Sequence, residues 1–221
     1  MPAPEYSIIT PSAGNRPTAL RHALQSVLAA MAHADLPASA VEMLIGYDGV
    51  KGPEAVNHPS ARFLSLPRQG NFGNGVRRML LAASKGRRLV FLDDDNALTQ
   101  QAFLVYEEHR DVEMLIARID VSRAFDCNYL PRSEPERELV RPSNIDPLCL
   151  CLTRELVVER CDSWRIYEGY ESDYHNILRY YRRARTVVST ESVVGIYDAG
   201  RGMDSGGLNF RQRKREGRMV P

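Results

Sequence analysis

The chain holds no Cys-x-x-Cys pair and no histidine pair at zinc spacing, which excludes a zinc-ribbon module and a dithiol redox centre. Its four cysteines, Cys127, Cys149, Cys151 and Cys161, read as buried free thiols in a reducing compartment. No run of about 18 consecutive apolar residues occurs, so no membrane span is expected. The opening MPAPEYSIITP lacks a basic stretch followed by a long apolar one. It does not read as a signal peptide, and a cytoplasmic protein is expected. Charge of one sign is also missing: 29 Lys and Arg stand against 28 Asp and Glu, which argues against nucleic acid as a partner. The glycine-rich GNFGNG lacks a Gly-Lys-Ser/Thr ending, so it does not support an ATPase. No internal repeat is visible.

What is present suits one α/β domain: 221 residues, 43% of them hydrophobic, can bury a full core without disulfides or metals. Strand patterns at 6–10, 41–47, 63–66 and 88–92 alternate with helical ones. The first helix opens at Pro17 and carries a one-sided stripe of Ala19, Leu20, Ala23, Leu24, Val27, Leu28 and Met31,. The second carries Val76, Met79, Leu80 and Ala83 and is expected to stop at Gly86,. This alternation predicts a Rossmann-like, mainly parallel sheet flanked by helices. Farther on, helices are expected at 100–109 and 155–160 and from about Ser172, and strands at 114–119, 148–152 and 186–189. The long, proline-bearing segment from Phe125 to Pro147 reads as a loop or lid. Residues 1–99 form the expected nucleotide-binding half, 100–195 the acceptor half, and 196–221 a flexible tail.

Parallel sheets bind ligands at the carboxyl ends of their strands. Three such ends here are polar: Thr10 through Arg16, Asp48, and Asp93 through Asn96. Three adjacent carboxylates at the end of a buried strand repel one another unless a cation or solvent screens them. A hard divalent cation, Mg²⁺ or Mn²⁺, would relieve that repulsion and bridge to a diphosphate; a solvated acidic turn is the alternative. In the segment PSAGNRP, Pro11, Asn15 and Arg16 are candidate nucleotide contacts, through backbone amides and the guanidinium. Arg68, Arg77 and Arg78 add positive charge. In YEGYESDYHNILRYYRR, Glu171 and Asp173 stand at a helix start, where either caps the helix or serves as a general base, with His175 the competing base. Trp164, Tyr167 and Tyr170 are candidate sugar-stacking rings. Arg211, Arg213, Lys214, Arg215 and Arg218 form a basic run suited to a solvated tail, an anionic membrane surface or ligand phosphates.

Taken in order, these pieces resemble the family 2 glycosyltransferases of GT-A fold, from Tyr6 to about Thr190, and FLDDDN is especially similar to the Asp-Asp-Asn version of a spore-coat member. The resemblance implies that Asp48 contacts the base, that Arg77 keeps a family arginine, and that Gly86 matches the glycine before the fourth strand. It also implies that Asp94 meets the ribose and Asp95 the metal, with Asp93 in support. Asp173 and Arg179 keep the spacing of the family's catalytic motif, with Ser172 where the family has glutamate. The implied activity is metal-dependent, inverting transfer of a sugar, hexosyl-like, from a nucleotide-diphosphate donor, UDP favoured, to a hydroxyl of a carbohydrate or glycoconjugate. A sugar-1-phosphate nucleotidyltransferase and a non-catalytic nucleotide-sugar-binding scaffold are the alternatives.

Overall fold

A computed structural model describes residues 3–167 and 171–204. Strand β1 (Tyr6–Ser12) is buried along its whole length. It lies between β2 (Val41–Asp48) and β4 (Arg88–Phe91), parallel to both, and β3 (Ala61–Leu66) continues the parallel run outside β2. A strand covered on both faces needs apolar residues without alternation. That is why Ile8, Ile9, Leu44, Ile45, Val90 and Phe91 are all within 1% of complete burial.

Helix α1 (Pro17–His33) buries Leu20, Ala23, Leu24, Val27 and Met31, as its periodicity predicts,. Helix α2 (Asn74–Ala83) buries Val76, Leu80 and Leu81 and also one charged residue, Arg77. The predicted stop at Gly86 is corrected: α2 ends at Ala83, and Ser84 is already extended. Gly86 instead packs on β1. Its amide donates to Ser7 Oγ at 2.8 Å and to Glu42 Oε1 at 3.1 Å.

The second half completes one nine-stranded sheet. The later strands are β5 (Ala97–Leu98), β6 (Met114–Asp120), β7 (Tyr129–Leu130), β8 (Leu150–Thr153) and β9 (Val187–Ile196), giving the order β3-β2-β1-β4-β8-β6-β9-β5 with β7 paired to β6. Strand β8 joins β4 antiparallel, and β9 runs parallel to β6. Helices α3 (Ala102–Glu108) and α4 (Ser172–Arg183) flank it, and Glu155–Arg160 is a π-helical turn. Strand β9 runs past residue 189, where its sequence pattern breaks. Irregular pairing with β6 around Arg118 takes up the polar Thr190 and Ser192, whose hydroxyls bond each other at 3.2 Å. The expected loop 125–147 contains β7. A buried charge on β4, Arg88, donates to Arg110 O at 2.8 Å and Val112 O at 3.1 Å, which ties β4 to the turn before β6,. Among the described residues no helix is long and apolar enough to cross a membrane.

A Cβ at Gly86 would lie 2.5 Å from both Ser7 N and Ser7 Oγ. Gly86→Ala must therefore push strand β1 and is expected to cost about 1–3 kcal/mol. Urea unfolding checks this; an unchanged midpoint would mean that the 84–87 turn yields without loss.

Candidate active site

A cleft of about 890 Å³ opens at the carboxyl ends of β1, β2 and β4. Pro11, Arg16, Asp48, Arg77, Asp93, Asp94, Asp95 and Asp173, all candidates from the sequence, line it. Asn15 does not: it is exposed in the β1–α1 loop beside Arg16. Acidic side chains exceed basic ones in the lining, because Asp146 and Glu171 join the aspartates while Arg68 adds only one cation to Arg16 and Arg77.

The three adjacent aspartates do not share one fate. Asp94 is 1% exposed; it accepts from Ser12 Oγ at 2.6 Å and pairs with Arg16. Burial pushes its carboxyl up to about 7; Arg16 opposes the shift and the Asp95 charge adds to it,. Asp95 pairs with the same guanidinium of Arg16. Asp93 takes Arg77 Nη2 at 2.5 Å. Two arginines thus relieve part of the repulsion read from the sequence. Among the described residues no three His, Cys, Asp or Glu side chains converge on a cation position.

Arg77 sits under the cleft, 2% exposed. Its Nη1 donates to Phe72 O at 3.3 Å and stands 3.6 Å from the Asp173 carboxylate. The guanidinium lies 5.3 Å from the Trp164 ring centroid. Trp164 is itself pinned by its Nε1 donating to Asn74 Oδ1 at 2.8 Å. Burial works against the charge on Arg77, but Asp93 and Asp173 outweigh it and hold its pKa above the usual arginine value. Arg77 is the ion-pair partner that joins the end of β4 to the start of α4.

Asp48 accepts from Gln69 N at 2.5 Å and Gly70 N at 2.9 Å, so it organises the loop between β3 and α2 at one end of the cleft. Gly49 (φ 74°) permits this close approach, since a Cβ there would lie 2.6 Å from Arg68 Cβ,. Glu171 lines the cleft mouth and is exposed. His175 is exposed, packs on Tyr167 with ring centroids 5.2 Å apart, and does not line the cleft. Arg179 turns away and donates to Ser163 O at 2.6 Å. Trp164 is fully buried packing beneath Arg77. Tyr170 and the basic run from Arg211 to Arg218 lie outside the described residues.

Sequence reasoning missed three parts of the wall. Asp146 accepts from Leu148 N at 2.9 Å at the head of a 3₁₀ turn. Burial first, then the Asp93 charge, pushes its carboxyl up to about 7. Its signal was an Asp before Pro147, hidden inside a segment read as loop. Ser12, second, looked like part of a polar loop but ends β1. Third, residues 197–204 pack against the aspartate segment and the start of α1 although they fall in the expected tail. Tyr197 lines it, Asp198 N donates to Asn96 Oδ1 at 2.8 Å, and Gly200 N donates to Asp95 O at 2.9 Å. Asp204 then caps α1, accepting from Thr18 N at 3.0 Å and Ala19 N at 2.8 Å. Helix α1 has no side-chain cap from its own Ncap residue, Arg16,.

No family model matches the chain, and no curated protein does. Solved structures do. The crystal structure of S. aureus TarS 1–349 matches with a TM-score of 0.69 at 14% identity, covering 87% of this chain and 60% of that one. Its complex with UDP matches with a TM-score of 0.70 at 14% identity and the same coverage. The complex with UDP-GlcNAc matches with a TM-score of 0.68 at 13% identity, covering 87% of this chain and 58% of that one. The chain therefore spans about 60% of the TarS 1–349 chain. The likeness shows the fold: the GT-A-like α/β sheet flanked by helices that the sequence predicts is the fold of this chain.

Asp146, raised from 3.8 to about 7, binds its proton more tightly folded than unfolded. Its stabilising contribution is full below the unfolded value and is lost as pH rises through about 7. Asp94, raised for the same reason, adds a second decline over the same window. Asp146→Asn, which keeps an acceptor for Leu148 N and carries no charge, is expected to flatten the fall of the melting temperature between about pH 4 and pH 7 by roughly half. A pH series of thermal unfolding curves on the ligand-free protein checks this; an unchanged slope would rule out Asp146 as a source.

Proposed function

We propose that the chain is a glycosyltransferase that moves a sugar from a nucleotide-diphosphate donor, UDP-linked, to an acceptor hydroxyl with inversion. One observation carries the reading. Asp48, Asp93–Asp95 and Asp173, from three distant segments, line a single cleft at the strand ends of a fold shared with a protein crystallised with UDP and UDP-GlcNAc.

In this reading the nucleoside lies along the β1 and β2 ends, with Asp48 at the base and Asp94 toward the ribose. Pro11 and Arg16 edge that subsite, and Arg16 is the cationic group nearest to the aspartates that a diphosphate would meet. The acid excess of the lining repels a diphosphate, which supports a requirement for Mg²⁺ or Mn²⁺. Such ions take one or two carboxylates and complete their shell from phosphate and water, so a site without a three-residue cage among the described residues fits that chemistry. Asp95, with Asp93 in support, would hold the ion, which supplies charge neutralisation for the departing diphosphate. Asp173 takes the proton from the acceptor hydroxyl. The oxygen attacks the anomeric carbon as the bond to the diphosphate oxygen breaks, and the product carries the opposite anomeric configuration. Arg77 holds Asp173 and Asp93 in register, so the base and the leaving-group side of the cleft move together.

Thermal unfolding with UDP and UDP-GlcNAc, with and without Mn²⁺, tests the donor site. A ligand at about 100 times its Kd stabilises by about 2.7 kcal/mol, so a clear upward shift is expected, larger with Mn²⁺, and Asp95→Asn should remove the Mn²⁺-dependent part. No shift with either nucleotide sinks the reading. Asp173→Asn is expected to keep the donor-induced shift while UDP release from UDP-GlcNAc falls roughly 10²–10⁴-fold; undiminished release would take the base role from Asp173.

A further inference from the structure

We infer that Phe72 is a stacking platform for a pyranose ring of the acceptor, set beside the Asp173 carboxylate; this deepens the transfer reading above and rests on it. Phe72 is 71% exposed, the largest exposure among the described large hydrophobic side chains, and it lines the cleft. It is also held there against backbone preference. Its φ is 55°, in the left-handed region, between Gly70 (φ 65°) and Gly73 (φ 81°). Glycine adopts that region freely and a bulky aromatic residue does not. Strain of this kind persists where the surroundings over-determine the conformation, and it concentrates at ligand sites.

The surroundings here are specific. Phe72 O accepts from Arg77 Nη1 at 3.3 Å, Asn74 N donates to Asn71 O at 3.1 Å, and Asn71 Oδ1 takes Gly75 N at 2.8 Å. The ring therefore stands on a rigid turn. Its place along the cleft follows from the same bonds. The turn begins at Gln69 and Gly70, whose amides sit on Asp48 at the nucleoside end. It finishes at Phe72, whose carbonyl shares Arg77 Nη1 with the Asp173 carboxylate, 3.6 Å from that nitrogen. The Phe72 main chain thus lies between Asp48 and Asp173, with its carbonyl on the Arg77–Asp173 side.

A pyranose suits such a surface. Its axial C–H bonds make one apolar, slightly electropositive face, which complements the negative face of an aromatic ring. Its hydroxyls project around the rim, where they can meet the carboxylates of the same cleft, Asp173 among them. An open-chain polyol has no rigid apolar face to offer. The platform would select ring sugars as acceptors.

Phe72→Trp supplies a reporter, since the chain has one other tryptophan, the buried Trp164, whose emission in the unsubstituted protein is the baseline. The variant is titrated, with and without UDP and Mn²⁺, with the methyl pyranosides of glucose, galactose, mannose and N-acetylglucosamine, and with glycerol and ribitol. At least one pyranoside is expected to shift the emission and the two polyols are not. Phe72→Ala should weaken that pyranoside about tenfold, by competition against the reporter's titration midpoint, and change UDP affinity by less than about twofold. Calorimetry with UDP runs alongside. If emission answers UDP and nothing further, the ring stacks on the base and the platform is refuted while the donor reading stands. The platform is equally refuted if UDP binds but no pyranoside acts, or if the polyols act as strongly. If UDP fails to bind, the transfer reading falls and the acceptor platform falls with it, whatever the pyranosides do.

Discussion

The site depends on one buried cation. Arg77 lies beneath the cleft at 2% exposure and divides its guanidinium among Asp93 at the end of β4, Asp173 at the start of α4 and the carbonyl of Phe72. A buried charge persists only when it is paired and hydrogen-bonded. Folding therefore has to bring these three segments together, and each segment carries a group the proposed chemistry uses. The indole of Trp164, fixed by Asn74, forms the floor on which the guanidinium rests. Arg77 is accordingly a structural necessity and a means of registering one half of the cleft against the other.

Arg16 plays the complementary part on the nucleoside side. It pairs with Asp94 and Asp95, while its loop leads into α1, whose first turn is capped from the other end of the chain by Asp204. The aspartate cluster is thus braced from both sides, by Arg16 and by the backbone of Gly200 on Asp95. Burial pushes the carboxyls of Asp94 and Asp146 up to about 7, so the charge of the cleft changes across neutral pH. Ligands that bring positive charge into the cleft would favour the ionised carboxylates.

Where the sequence was legible, the reason was periodicity or the end of a buried run. The strands beginning at Tyr6, Val41 and Arg88 were readable because covering both faces of a parallel sheet demands continuous apolar residues,. The polar residues at their carboxyl ends then stand out, which places Asp48, Arg16 and Asp93–Asp95 at one edge of the sheet from sequence alone. Strand β9 was only half legible, since Thr190, Glu191 and Ser192 interrupt the pattern where its pairing is irregular. Asp146 and residues 197–204 were illegible. Their roles come from contacts with residues distant in the chain, and a proline-flanked aspartate or a short glycine-rich stretch carries no local mark of such contacts.

By itself, then, the sequence determined the α/β class, the order of the first four strands and helices, and the gathering of acids at strand ends, because those follow from local burial patterns and the handedness of parallel crossovers. Only the tertiary structure decided which acid faces which cation. The sequence marked Arg77 as a candidate cation and a match to a family arginine, but not as a buried one. Its burial against Trp164, and its sharing between Asp93 and Asp173, arise from packing between elements some hundred residues apart, where Coulomb energy and desolvation depend on distances that no sequence spacing encodes.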